Sequence, residues 1–265
     1  MPSVAALFRY PLKGFTPETR ETISVRPDGR VAGDRVLNFR FADAPAADNE
    51  WCRKSHGAVL VNTPGLARLA VRFDDRAQRL RLMLGDTVLA DEGLDEAGRA
   101  RLVAALTRYI DTLEENPLNG HPERLPLRLV GDGTTPRYQD NPAGQTTLHS
   151  RESLASAATA LGDAALSELR FRSNIAIEGV LPWAELSWIG RRVRIGSVEF
   201  DVVEPKTRCL ATHANPRTGE RDREIMQTLV RAFGHSAPTF GVALLPSGPG
   251  GTITVGDPVI LLGNA

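Results

Sequence analysis

Leu80-Arg81-Leu82-Met83-Leu84-Gly85-Asp86-Thr87-Val88-Leu89 is the stretch whose reading decides the fold class. Two short apolar-rich runs flank Gly85-Asp86, a dipeptide suited to a hairpin turn, so the segment predicts paired antiparallel strands. Outward from it the same texture continues. Leu69 to Phe73 and Val59 to Val61 read as strands upstream, and Val36 to Phe41 alternates Val36, Asn38 and Arg40 against Leu37, Phe39 and Phe41. Thr22 to Val25 precedes the turn Pro27-Asp28-Gly29, and Val4 to Tyr10 runs up to Pro11. The first third therefore predicts a small antiparallel barrel or sandwich.

Downstream, Asp95 to Leu113 has helical spacing, with Leu102, Leu106, Tyr109 and Leu113 on one stripe. Glu115 to Leu125 holds two prolines and Gly120, which suits a linker and places a boundary there, with units over residues 1–115 and 116–265. The second unit opens with a strand at Leu127 to Val130 and a polar loop from Gly131 to Gln145. A helix follows over Ser150 to Leu161, with Ser150 as N-cap. Strands are expected at Asn174 to Glu178, Arg192 to Ile195, Glu199 to Val203, Phe240 to Leu245, Thr252 to Val255 and Pro258 to Leu262, with a helix at Arg223 to Phe233. The class is mainly β with a few helices (α+β).

With 32 basic and 32 acidic residues, the chain gives no electrostatic case for nucleic acid or an anionic membrane as main partner. No apolar run approaches spanning length, and Met1 to Gly14 lacks an export signal. A cytoplasmic, reducing setting is the expectation. The two cysteines, Cys52 and Cys209, offer no CxxC and cannot hold a four-thiolate iron–sulfur cluster, so a redox role needs an external electron donor.

Chemistry concentrates in a few places. Thr207-Arg208-Cys209 sets a soft sulfur beside a guanidinium, ahead of the turn Asn215-Pro216-Arg217-Thr218-Gly219-Glu220. A thiolate suits a soft or redox-active metal, although a lone cysteine also serves as a small buried hydrophobe. His213, four residues on, could face the same way, but further ligands at zinc spacing are missing. His56, His121, His149 and His235 are isolated, and Trp183 and Trp188 read as core or pocket wall. In Phe171-Arg172-Ser173-Asn174, Arg172 and Asn174 would project together, a pair suited to an anionic, heteroatom-rich ligand. Tyr10-Pro11-Leu12-Lys13-Gly14 and Gly33-Asp34-Arg35 each set a cation beside a turn former. Arg53 and Lys54 read as solvating a loop rather than facing a substrate.

Taken in order, these pieces resemble the MOSC-domain family, named for the C-terminal domain of molybdenum cofactor sulfurases, and the likeness covers nearly the whole chain. Tyr10 to Gly14 and Gly33 to Arg35 are similar to elements of the N-terminal β-barrel domain that precedes MOSC in one branch. Phe171-Arg172-Ser173-Asn174 is similar to the family's Phe-Arg-Pro-Asn, Thr207-Arg208-Cys209 to its Ser/Thr-Arg-Cys, and Val255-Gly256-Asp257-Pro258-Val259 to its closing strand. The resemblance implies a small N-terminal β-barrel domain packed on a barrel-like MOSC domain. It also implies a molybdenum–pterin cofactor lodged between them, with Cys209 as metal ligand and catalytic centre. Lys13, Arg35, Arg172, Asn174, Thr207 and Arg208 would hold the pterin and phosphate, with Asp140 and Asn141 as looser matches. Gly14 stands where the family often has serine, and Ser173 where it has proline.

The branch implied is that of the amidoxime-reducing component: two-electron reduction of N-hydroxylated or N-oxide small molecules, fed by a ferredoxin- or cytochrome-type donor and its reductase. A carrier or sulfur-transfer role with a Cys209 persulfide is the alternative from another class. Neither the pyridoxal-phosphate domain of full sulfurases nor the ferredoxin-like domain of some bacterial relatives is expected here.

Overall fold

The computed structural model describes residues 1–264. The hairpin forms as its sequence demands. Arg79–Leu84 and Thr87–Gly93 pair antiparallel with Leu84 opposite Thr87, and Gly85 takes φ +57° in the turn. Leu80 and Leu82 point inward and are fully buried, while Arg79 and Arg81 point outward and share the carboxylate of Asp91. Leu69–Asp74 completes this three-stranded sheet. The helix Glu96–Ile110 covers the same core. Asp95 caps it by accepting from the Gly98 N–H at 2.6 Å, and Leu102 and Leu106 are fully buried, worth roughly 1.5–3 kcal/mol each.

A second core sits inside an eight-stranded sheet. Its order is Val259–Asn264, Arg191–Ile195, Val198–Thr207, Thr239–Pro246, Thr146–Ser150, Ile175–Glu178, Ser3–Arg9, Glu18–Arg20. The parallel pair in this sheet is Thr146–Ser150 with Ile175–Glu178. The helix Arg151–Leu161 occupies the crossover between them, as a parallel connection requires. Ser150 caps this helix as expected, its hydroxyl accepting from the Ser153 N–H at 3.1 Å. A bridge between Ser3 and Pro258 ties the first strand to the entry of the last.

Strands on either side of the linker at 115–125 pair with one another. Asn38–Arg40 pairs with Arg128–Val130, and Thr22–Val25 with Gly251–Thr254. Val4, Leu7, Ile23, Val25 and Val31 pack in the second core, and Leu127 and Leu129 in the first. Both cores thus draw residues from both sides of residue 115.

Two expectations change locally. Val59 to Val61 is a turn, because the Val59 carbonyl accepts from the N–H groups of Asn62 and Thr63 at 3.0 and 2.8 Å. The Asn62 side chain takes up the Val59 N–H at 3.1 Å, in the place of a strand partner. The strand expected at Glu199 to Val203 runs on to Thr207, through bulges at Val202/Glu204 and Pro205/Thr207. That extension carries the chain to Cys209. Among the described residues no helix is long and apolar enough to cross a membrane.

Candidate functional site

Tyr10 to Phe15 carry the chain from one core to the other, and Tyr10 is the hub of the site. Its ring lies between two guanidinium groups, with Arg172 4.4 Å and Arg35 4.9 Å from the ring centroid. Its hydroxyl donates to the Ser173 carbonyl at 3.2 Å, and burial pushes the phenol up to about 12. Both arginines have left-handed backbone, φ 53° at Arg35 and 56° at Arg172, a conformation that costs a non-glycine residue roughly 1–2 kcal/mol. The surroundings over-determine it. Asp34 accepts from the Tyr10 N–H at 2.7 Å, from Asn174 Nδ2 at 3.3 Å and from the Arg35 guanidinium, while Arg172 donates to the Phe15 carbonyl.

The two arginines line one side of an open cleft with a cavity volume of about 230 Å³. One set of residues, from the N-terminal side of the linker, brings Lys13, Gly14, Arg35, Lys54 and Val59. The other brings Gln139, Asp140, Asn141, Thr147, Arg172, Lys206, Thr207, Arg208 and Cys209. Seven cationic side chains line it (Lys13, Arg35, Lys54, Arg170, Arg172, Lys206 and Arg208) against one carboxylate, Asp140.

The electrostatics follow from that ratio. Asp140 is 60 % exposed in side-chain terms, its oxygen 3.4 Å from the Lys13 ammonium. Desolvation alone would raise its pKa, but Lys13, Lys54, Arg35 and Arg172 outweigh it and hold the carboxyl at about 2. Lys13 is 3 % exposed, and burial lowers its pKa against the pull of Asp140; its ammonium also donates to the Gln139 carbonyl at 3.3 Å. Burial likewise disfavours the charge on Lys54, yet Cys209 and Asp140 more than offset it and raise the value above the ordinary one. Burial brings the Arg208 guanidinium down to about 10.

Of the residues singled out from sequence, Lys13, Arg35, Asp140, Asn141, Arg172, Thr207, Arg208 and Cys209 line this one cleft. Asn174 does not. It is buried below, its amide donating to the Phe8 carbonyl and Asp34 and its oxygen accepting from the Thr147 hydroxyl at 3.3 Å. Arg208 lines the cleft, but its fork is committed to protein oxygens. Nε and Nη2 donate to the Phe240 carbonyl at 2.8 and 2.6 Å, and Nη1 to the Phe171 carbonyl at 2.5 Å. Both residues brace the walls. His213 turns elsewhere, with Nε2 accepting from the Met226 N–H at 3.2 Å. Among the described residues, no group of three or more His, Cys, Asp and Glu side chains is placed to hold a metal ion, so Cys209 supplies a single sulfur.

The turn Asn215 to Glu220 is framework. Beside it, Arg221 donates to the Leu210 and Val61 carbonyls, both at 3.0 Å, and pairs with Glu115. It staples the Cys209 segment to residues from before the linker. Gly14 takes φ +84°, and a Cβ there would lie 2.7 Å from the Val59 Cα, so the serine of the family pattern does not fit this backbone.

Several polar lining residues are not assigned to a site from the sequence: Lys54, Gln139, Gln145, Thr147, Arg170, Lys206 and Thr212. Arg53 and Lys54, which together read as solvating a loop, part company: Arg53 is exposed, whereas Lys54 faces the cleft. Strand alternation through Lys206 and the capped start at Ser150 are signals for two of the regions; for Lys54 there is none.

The MOSC domain pattern matches residues 135–260. Mitochondrial amidoxime-reducing component 1 of Mus musculus is 43 % identical over 104 residues, covering 36 % of this chain and 30 % of that protein. Molybdenum cofactor sulfurase of Caenorhabditis briggsae is 35 % identical over 271 aligned residues, covering 98 % of this chain and 36 % of that protein. The chain thus spans about a third of the length of these curated relatives. Among solved structures, the YUAD protein from Bacillus subtilis shows a TM-score of 0.44 and 11 % identity, over 98 % of this chain and 94 % of that one.

Proposed function

Since the chain is a member of the MOSC-domain family, we propose that it holds a molybdenum–pterin cofactor through Cys209 and reduces N-hydroxylated or N-oxide small molecules. The observation that carries this reading is the meeting of one half-exposed sulfur with basic side chains from both sides of the linker, in one cleft.

The donor set fits such a group. A terminal phosphate wants several cations, and Lys13, Arg35 and Arg172 supply an ammonium and two forks. A fused heterocycle wants amide and hydroxyl partners, which Asn141, Gln145, Thr147 and Thr207 offer. When bound, the metal supplies two-electron redox chemistry. The chain's own residues bind, orient and shield. Asp34, Tyr10 and Asn174 fix the two arginines, Arg208 braces Phe171 and Phe240, and Arg221 holds the segment that bears Cys209. The N–O bond of the substrate breaks and its oxygen leaves as water. Two electrons come from an external ferredoxin- or cytochrome-type protein and two protons from solvent.

A second reading has its own support. Cys209 is partly exposed, and a protein named molybdenum cofactor sulfurase aligns with 98 % of this chain, so a Cys209 persulfide could serve cofactor maturation instead. Expression in a host that makes the cofactor, followed by elemental analysis, tests the shared premise. Near-stoichiometric molybdenum, lost in Cys209→Ala, is expected; a metal-free wild type defeats the oxidoreductase reading. Reduction of a simple amidoxime by chemically reduced protein then favours the enzyme. No turnover, with a mass gain of one sulfur on Cys209, favours the carrier.

A further inference from the structure

Lys54 is not among the groups assigned to the cofactor, yet the fold goes to some length to place it. It begins the short helical turn Lys54–His56, at the end of a loop clamped by donors from several parts of the chain. Arg40, fully buried, donates to the carbonyls of Ala46, Ala47 and Glu50. The Tyr138 hydroxyl donates to the Asp48 carbonyl and Arg137 to the Asn49 carbonyl, both at 2.7 Å, and the Trp51 indole donates to the Gln139 carbonyl at 2.9 Å.

Its ammonium is also uncommitted: Arg172 and Arg208 lack an acidic partner too but donate to the Phe15, Phe171 and Phe240 carbonyls, whereas Lys54 has neither a salt bridge nor a hydrogen bond to an oxygen among the described residues. Lys13 pairs with Asp140, Arg35 with Asp34, Arg170 with Asp222 and Lys206 with Glu204. Lys54 lines the same cleft as Cys209 and Asp140.

We propose that Lys54 is the specificity-determining residue at the Cys209 end of the cleft, selecting ligands that present an anionic oxygen there, such as N-oxides and ionised N-hydroxy compounds, over neutral ones. The inference deepens the functional reading and rests on it for the identity of the substrate. The charge selectivity itself is a property of the polypeptide.

The test uses the full chain, purified from a host that makes no molybdenum cofactor. Cys209 is alkylated with iodoacetate and, separately, with the neutral iodoacetamide. Peptide mass spectrometry keeps Cys209 distinct from the buried Cys52. The ratio of the two rates at one pH divides out the thiolate fraction and leaves the recognition of charge. Lys54→Gln should lower the iodoacetate/iodoacetamide ratio about five-fold, the factor expected of one unit charge a few ångströms away in a water-filled cleft. Lys54→Arg should keep it near wild type. An unchanged ratio in Lys54→Gln, or an equal fall in Lys206→Gln, overturns the proposal.

In protein loaded with molybdenum, Lys54→Gln should raise KM for an N-oxide while leaving kcat on a neutral hydroxylamine in place. A wild type that takes up no molybdenum in a cofactor-making host would sink the functional reading and leave the alkylation ratio standing, so the two failures are separable.

Discussion

Gly14→Ser restores the residue that the family pattern places after the lysine, and the structure says it is harmful here. Gly14 is buried at φ +84°, and an added Cβ meets the Cα of Val59 at 2.7 Å and its Cβ and Cγ1 at 2.8 Å. Left-handed backbone costs a side-chain-bearing residue roughly 1–2 kcal/mol. Forcing atoms into a filled site costs roughly 1–3 kcal/mol more, because backbone and not a flexible tip must yield. The sum, roughly 2–5 kcal/mol, corresponds to a fall in Tm of about 4 °C at the least and nearer 10 °C in the middle of the range. Gly120→Ser is the matched control: φ is +74°, but nothing lies within 4 Å of its Cβ, so it carries the backbone cost alone. Thermal unfolding followed by circular dichroism compares the two at one protein concentration. Should Gly14→Ser melt no lower than Gly120→Ser, the close approach to Val59 is not a constraint, and it does not explain why this chain departs from the family pattern.

Arg40→Met strips three carbonyls of their buried donor and should cost about 3 kcal/mol in urea unfolding. The freed loop should also be cut faster near Trp51 in limited proteolysis. For His149, burial lowers the pKa below 6.5. The unfolded chain therefore takes up a proton that the folded one resists, so stability is full above about pH 6.5 and declines as pH falls below it. His149→Leu should flatten that slope between pH 7 and pH 5 relative to wild type, measured by urea midpoints. Asp140, held at about 2 in the folded state against an ordinary 3.8, should contribute undiminished stability above about pH 4 and lose it as pH falls through about 2. The difference between wild type and Asp140→Asn should shrink over that window.

Local chemistry makes part of the fold readable in the sequence. The hairpin around Gly85-Asp86 and the helix capped at Asp95 follow from neighbours in sequence, and neither needs distant help. The same holds for the Cys209 segment, where a strand leads into a cysteine. Thr146–Ser150 escapes such a reading because four of its five residues are polar yet all five are buried; Thr146 spends its hydroxyl on the Gly29 carbonyl, 117 residues away in sequence. Asn174 looks like a ligand-holding residue because an amide suits one, and only the packed strands reveal that Asp34, Phe8 and Thr147 use it up. Lys54 depends on donors at Arg40, Arg137, Tyr138 and Trp51 acting on one loop, a convergence that no local pattern encodes.

The pairing of Thr22–Val25 with Gly251–Thr254 bears on how the chain is made. Ile23 meets Ile253, so the first of these strands waits for a partner translated more than 200 residues later. Until the ribosome has supplied residues near 250, that early strand has an open edge, which a holdase chaperone or a neighbouring nascent chain can occupy. Folding of the second core therefore stays incomplete until residues near 250 have emerged, and a chain stalled before residue 250 is a candidate for degradation.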